Sequence, residues 1–387
     1  MELINISQTS PAAAVIAEFN LFHNGHKILL EKIKESLPGA PVAAVMSGGY
    51  VQRGEAAVID KYLRAKAAVL CGYDLVIELP PPWSISSASD FARGGIDTAV
   101  LSGIFSHLAF GCRGGSEYIK KTAEIMTGEK FTALSEECAA LADGSGVPYM
   151  EVLSDRYEEV FGEPFPRSPN DILAVEYLKC LDGSHIKPLF ISRETHDSAT
   201  ESRRLFFARD FEVLKQAVPA EVLDPYKTAK PMSLNIASAA ILYKLRRLDI
   251  DEAEALGTHP HGLPSRIKKA ARISGDYNEL IKLLPTKTYS AARLRRAVLY
   301  LLFGITRELV ESSPRHINIL ASSEKGRELI ARIPKEVKVI SRPAELKNLA
   351  KTSKTAALTV LSDEFSALCA SPAYDAGWAL KARPYFE

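Results

Sequence analysis

The chain has 387 residues, 47% of them hydrophobic and 25% charged, enough for two or three domains around a large core. No apolar run approaches the roughly 20 residues needed to span a bilayer, and the opening MELINISQTS lacks the basic start and apolar centre of a signal peptide, so a cytoplasmic protein without a membrane partner is expected. The formal charge of +1 conceals a split: residues 206–387 carry 29 Lys+Arg and 20 Asp+Glu (+9), leaving 19 and 27 (−8) for residues 1–205. Such asymmetry is one mark of a nucleic-acid-facing domain, and equally compatible with an ordinary solvated surface. The cysteines at 71, 112, 138, 180 and 369 are odd in number and scattered without a C-x-x-C, which points to buried thiols rather than a disulfide-linked partner or a metal site.

Along the chain, short apolar runs at 12–19, 41–46, 75–79, 108–110 and 186–191 read as strands, each closed by a polar or glycine-rich turn. Apolar residues at three-to-four spacing mark helices at 27–36, 61–71 and 88–101 between them. Strands alternating with helices imply an α/β fold with a parallel sheet covered on both faces. The piece 116–181 reads as a helical insertion. Beyond residue 205 the strand signal fades into helices at 233–248, 263–273, 276–284 and 290–303, with one further apolar run at 337–340 that could return as a strand. The expected organisation is residues 1–205 as a Rossmann-like domain and 206–387 as a mostly helical one.

The first strand ends in Glu18-Phe19-Asn20-Leu21-Phe22-His23-Asn24-Gly25-His26. Ligands of open parallel sheets lie beyond the carboxyl ends of the strands, and a helix starting near Gly25 would aim its free N–H groups at that rim. His23 and His26, three apart, can share one helical face. Imidazoles there suit attack on the α-phosphate of a nucleoside triphosphate, a reaction that needs positioning and charge stabilisation more than a protein nucleophile. No Walker A sequence occurs.

These residues resemble the nucleotidyltransferases of the HIGH superfamily. More narrowly, the chain is similar to the bacterial tRNA(Met) cytidine acetate ligase family, whose E-[YF]-N-P-F-H-N-G-H pattern is matched at 18–26. The family's M-S-G-N-F-V-Q-R-G-E is matched by Met46-Ser47-Gly48-Gly49-Tyr50-Val51-Gln52-Arg53-Gly54-Glu55, and D-L-V-I-E-L-P stands at 74–80. Further matches are Pro169-Asn170-Asp171-Ile172-Leu173, Ser198-Ala199-Thr200-Glu201-Ser202-Arg203, G-L-x-x-R-I-K-K-A at 262–270 and T-K-x-Y-[ST] at 286–290. The ordered match spans about residues 12–310. Leu21 stands where the family has proline, the loop after Phe110-Gly111-Cys112-Arg113 is longer, and the link from Arg193 to Ser198 is shorter.

The resemblance implies an ATP-dependent ligase that joins acetate to the amino group of the wobble cytidine in elongator tRNA(Met) through acetyl-adenylate. ATP, arriving with Mg2+, and acetate would be its small substrates. By the same resemblance ATP is expected at Ile16, Ala17, Glu18, Phe19, Asn20, Leu21, Phe22, His23, Asn24, Gly25, His26, Lys27, Ile28, Leu29, Gly111, Asn170 and Arg193, with His23 and His26 catalytic. A small-molecule adenylyltransferase of the same superfamily, or a non-catalytic ATP- and RNA-binding protein, stays open as an alternative.

Other positions bear on the same rim. Gln52 and Arg53 follow a strand end, where a guanidinium could hold a carboxylate or phosphate. Asp60, Lys61 and Arg64 read as a helix cap with solvated charges. Thr200 and Arg203 are like a phosphate-clamping pair, or else a plain helix start. Tyr50 and Trp83 read as packing aromatics. Residues 261–307 hold ten Lys/Arg against Asp276 and Glu279, with Tyr277 and Tyr289 interleaved, the expected footprint for a structured RNA. Arg266, Lys268, Lys269, Lys287, Arg293, Arg295 and Arg296 are the expected tRNA contacts.

Overall fold

The computed structural model describes residues 11–145, 147–192, 198–284 and 289–387. Its main sheet begins with β1 (Ala13–Ala17) and β2 (Val42–Ser47), followed by a small hairpin of β3 (Tyr50–Val51) and β4 (Glu55–Ala56). The sheet continues with β5 (Leu75–Leu79), β6 (His107–Cys112) and β7 (Lys187–Ser192). Each expected strand is present within a few residues of its expected bounds. The neighbour order β5-β2-β1-β6-β7 is parallel throughout. Strand order reverses between β1 and β6, which places the ligand crevice there. β1 pairs with β6 only through Ala13 and Ala14, whereas β6 and β7 pair over six residues. The crevice opens where that pairing stops.

Helices α1 (Asn24–Ser36), α2 (Lys61–Leu70) and α3 (Ala88–Ser102) cover the sheet. One core, with Leu30, Ile33, Ala65 and Val69, lies on one face; a second, with Ile96, Ala99 and Phe91, lies on the other. The strands are near-continuous apolar runs because both faces are buried. In the insertion, α4 (Gly115–Thr127), α5 (Glu129–Ser145) and α6 (Tyr149–Phe161) enclose a small core of Phe131, Leu134, Cys138 and Tyr157. α7 (Pro169–Leu181) returns to the sheet through Ala174, Val175 and Tyr177. α8 (Ser198–Phe207) follows β7.

The expected division at residue 205 does not describe the sheet. β8 (His316–Ser322) lies antiparallel to β5, and β9 (Lys338–Ile340) and β10 (Tyr385–Phe386) pair with β8. β8 is buried along its whole length, so its apolar side chains complete the same cores as β5. The intervening helices Ser238–Arg246, Leu263–Ile273, Tyr277–Leu283 and Ala291–Phe303 form a second body around Ile241, Leu245, Ile267 and Val298. Tyr50, Ala56 and Ile85 of the first body belong to that core. The β3–β4 hairpin is therefore the joint. Gly54, at its tip, has φ +74°, and a Cβ there would sit 2.6 Å from the Arg296 backbone nitrogen, so only glycine lets the two bodies meet this closely.

The expectation of solvated Lys61 and Arg64 is corrected. Asp60 does cap α2, accepting from Leu63 N at 2.9 Å. Lys61 and Arg64 are buried instead. Lys61 Nζ donates to Glu78 Oε1 at 2.8 Å and to Asp363 Oδ2 at 2.7 Å, and Asn318 donates to the other Glu78 oxygen. Opposite charges arriving from β5 and from the helix Lys354–Leu368 are what make burial of the lysine tolerable. Trp83 and Tyr50 are packing aromatics, each with its polar tip bonded to a backbone carbonyl. Four cysteines are buried thiols and Cys180 is half-buried.

Candidate active site

β1 runs into a turn and then α1, and the chemistry of the turn follows from how its polar groups are satisfied. Phe19 adopts φ 44°, a left-handed conformation that costs an L-residue on the order of 1–2 kcal/mol. Its ring is fixed against Phe22, Tyr73 and His26 at centroid distances of 5.0, 5.2 and 5.0 Å. Asn20 Oδ1 accepts from Val58 N at 2.8 Å, and the Tyr226 hydroxyl bonds both the N–H and the carbonyl of Phe22. The loop that lacks the family proline is tied down by these bonds, with Leu21 buried beneath it.

His23 is the N-cap of α1 and buried. Its Nδ1 accepts from Gly25 N at 3.1 Å, while His26 Nδ1 accepts from His23 N at 3.2 Å. The pair thus forms a reciprocal capping box built from imidazoles. With Nδ1 accepting in both rings, each neutral imidazole carries its proton on Nε2. The rings stack at 3.8 Å between centroids. Gly25 is required by this arrangement, because a Cβ there would lie 2.9 Å from His23 Cε1.

Both rings line a cavity of about 350 Å3 at the switch point. Ile16, Ala17, Glu18, Phe19, Asn20, Leu21, Leu29, Gly111 and Asn170 share its wall. Phe22, Asn24, Gly25, Lys27 and Ile28 do not. Phe22 is buried in the core, Asn24 Nδ2 donates to Gln216 O, Lys27 pairs with Glu221 at 2.6 Å, and Ile28 is exposed. Arg193 lies outside the described residues.

Gln52 and Arg53 line the cavity from the hairpin, and Thr200 and Arg203 from α8. Arg203 donates to Asn20 O at 3.1 Å and to Thr200 Oγ1 at 3.2 Å, which binds α8 to the loop before the histidines. Glu18 Oε1 accepts from Gln52 N at 2.8 Å. Burial holds the Glu18 carboxyl above its ordinary range, against the opposing pull of Gln52 N–H and the Arg53, Arg64 and Arg203 charges.

Two groups escaped sequence reasoning. Arg64 Nη1 donates to Glu18 O at 2.6 Å and Ser47 O at 3.0 Å, and Nη2 donates to Gly48 O, so one guanidinium ties the carboxyl ends of β1 and β2. Burial pulls its pKa down to about 10. Asp171 Oδ1 accepts from Arg113 N at 2.7 Å and so holds the lengthened loop after β6 beside Asn170.

The basic residues expected to meet RNA divide in two. Arg295 donates to Arg53 O at 3.2 Å and pairs with Glu55 at 3.3 Å, and Arg296 donates to Gln52 O at 3.3 Å. Both therefore brace the hairpin, and burial lowers the Arg296 pKa. Lys268 and Arg266 donate to the carbonyls of Leu248 and Leu284. Lys269 and Arg293 are exposed, the latter over the Tyr289 ring at 4.6 Å. Lys287 lies outside the described residues.

With this geometry in place, comparison with known proteins is informative. The family model of HIGH nucleotidyl transferases matches residues 11–376. The tRNA(Met) cytidine acetate ligase of Syntrophomonas wolfei is 32% identical over 398 residues, covering 93% of this chain and 95% of that one. That of Lactococcus lactis subsp. cremoris (strain MG1363) is 34% identical over 340 residues, covering 82% and 86%. A crystal structure of Thermotoga maritima TmcAL bound with alpha-thio ATP superposes with a TM-score of 0.87 at 25% identity, covering 97% of this chain and 99% of that one. The chain belongs to the HIGH nucleotidyl transferase family and, within it, to the tRNA(Met) cytidine acetate ligases.

Proposed function

We propose that the protein uses ATP to join acetate to the wobble cytidine of elongator tRNA(Met), in the cytoplasm, by way of acetyl-adenylate. The observation that carries this reading is the imidazole capping box on the cavity rim. Both imidazoles line the cavity beside the positive end of α1, where an α-phosphate gains charge as pyrophosphate departs.

ATP occupies the 350 Å3 cavity, with His23 and His26 at its phosphates and Gly111 and Asn170 also lining it. A carboxylate oxygen of acetate attacks the α-phosphorus, and the bond to the β-phosphate oxygen breaks with release of pyrophosphate. The cytidine amino nitrogen then attacks the acetyl carbonyl carbon, loses a proton to solvent and expels AMP. Arg203 and Arg53 lie on the wall as cations for carboxylate or phosphate. Mg2+ would arrive on the phosphates of ATP. Among the described residues no three His, Cys, Asp or Glu side chains converge, so phosphate and water oxygens would supply most of its ligands. The exposed Lys269 and Arg293 would meet tRNA phosphates.

The test is acetate-dependent ATP–pyrophosphate exchange by the purified protein, followed by mass analysis of nucleosides from treated tRNA. Exchange driven by a phosphorylated metabolite in place of acetate would favour a small-molecule adenylyltransferase. ATP and tRNA binding without exchange would favour a non-catalytic protein.

A further inference from the structure

A second cavity of about 610 Å3 lies against the first, and Glu55 and Arg203 belong to the walls of both. Its other walls come from both bodies of the fold: Phe207 at the end of α8, Leu234, and Tyr277, Lys282 and Arg295 from the second body's helices. We propose that this cavity is the acceptor pocket, receiving the RNA nucleoside whose amino group is acylated. The assignment rests on the ligase reading above and adds where the acceptor sits.

The argument starts from shape and chemistry. A nucleobase is apolar on its faces and polar along its edge, and it is attached to an anionic phosphate. The cavity offers an apolar wall, an exposed aromatic ring, and cations at the same opening. Phe207 is 44% exposed, unusual for a phenylalanine, and stands on the cavity wall where a splayed base could stack. Arg295 is held by Glu55 at 3.3 Å and by Arg53 O, so its position is fixed by the hairpin that also shapes the first cavity. Lys282 is exposed on the same wall.

The Tyr277 hydroxyl supplies an independent observation. The residue is only 5% exposed, and its hydroxyl has no hydrogen-bond partner among the described residues. A buried polar group left unpaired is uncommon in folded proteins, and this one belongs to a residue of the cavity wall. Tyr277 lines this cavity together with Arg295 and Glu55, and Glu55 belongs to the wall of the first cavity as well. A base that reached past Phe207 would come to rest against that wall, with its polar edge facing the donor cavity.

The experiment uses the full chain in three forms: Phe207→Ala, Phe207→Tyr and Tyr277→Phe. Acetate-dependent ATP–pyrophosphate exchange reads the first cavity alone, and acetylation of tRNA reads both. Phe207→Ala should raise the KM for tRNA about tenfold or more while leaving exchange within twofold of wild type. Phe207→Tyr, which keeps the ring, should restore it. Tyr277→Phe should lower kcat/KM for tRNA about threefold or more, again with exchange intact. Wild-type tRNA kinetics in both Phe207→Ala and Tyr277→Phe would overturn the assignment, as would exchange falling in step with acetylation. A wild-type chain without acetate-dependent exchange would overturn the ligase reading, and the acceptor pocket with it.

Discussion

Substituting His23 by asparagine separates two jobs that one side chain performs. The imidazole Nδ1 caps α1 through Gly25 N, and the same ring lines the cavity. Asparagine is among the best N-caps, so His23→Asn keeps the cap while removing the Nε2 donor; alanine removes both. The ring is buried and stacked on His26 at 3.8 Å, so shrinking it costs about 1–2 kcal/mol in either variant. Loss of the cap adds about 1 kcal/mol for alanine alone. Losing a donor aimed at developing charge costs about 3–4 kcal/mol of transition-state stabilisation, or 10²–10³ in turnover. The assay pairs urea unfolding with acetate-dependent ATP–pyrophosphate exchange at saturating ATP. Asparagine should fall between wild type and alanine in stability, yet match alanine in its loss of exchange. Exchange within about threefold of wild type in a folded His23→Asn protein would refute the reasoning and leave the imidazole as a cap only.

Three other outcomes are expected. Lys61→Met strands Glu78 and Asp363 without their cation and should destabilise the fold by about 3–5 kcal/mol, read by urea unfolding. Asp363 is pushed up to about 7 by burial, so the native state binds its proton more tightly than the unfolded chain does. The stability this contributes is complete below pH 3.8 and is lost as pH rises through about 7, so Asp363→Asn should flatten the decline in melting temperature between pH 5 and 8. Replacing Lys269 and Arg293 together by alanine should reduce the slope of log affinity for tRNA against log salt by about 1–2, with ATP binding unchanged in calorimetry.

What could be read from sequence follows the range of the interactions involved. The strand before the histidines and the helix after them rest on local pattern, and the placing of a ligand beyond the strand ends rests on a topological rule; His23, His26, Gly111 and Asn170 line one cavity accordingly. The capping box was not anticipated, because it depends on the rotamers of two rings and on the space left by Gly25. Lys61 and Arg64 looked like surface charges because nothing near them in the chain marks Glu78 and Asp363, or the carbonyls of Glu18 and Ser47, as their partners. Residues 316–322 escaped for the same reason: antiparallel pairing with β5 across more than 200 intervening residues leaves no periodic trace. Arg295 and Arg296 were read as RNA contacts from charge density alone, which cannot distinguish a cation facing solvent from one bonded to the backbone of Gln52 and Arg53.

The long path between β5 and β8 has a consequence for synthesis. About 240 residues separate Leu79 from His316, so at about 5–20 residues per second a ribosome needs on the order of 10–50 s to deliver the neighbour of an already emerged β5. Throughout that interval the nascent β5 exposes an unpaired edge, and Lys61 waits for an aspartate that has not yet been translated. Holdase chaperones should therefore engage this chain early and release it late, and ribosome-bound fragments ending before residue 316 should be protease-sensitive around β5.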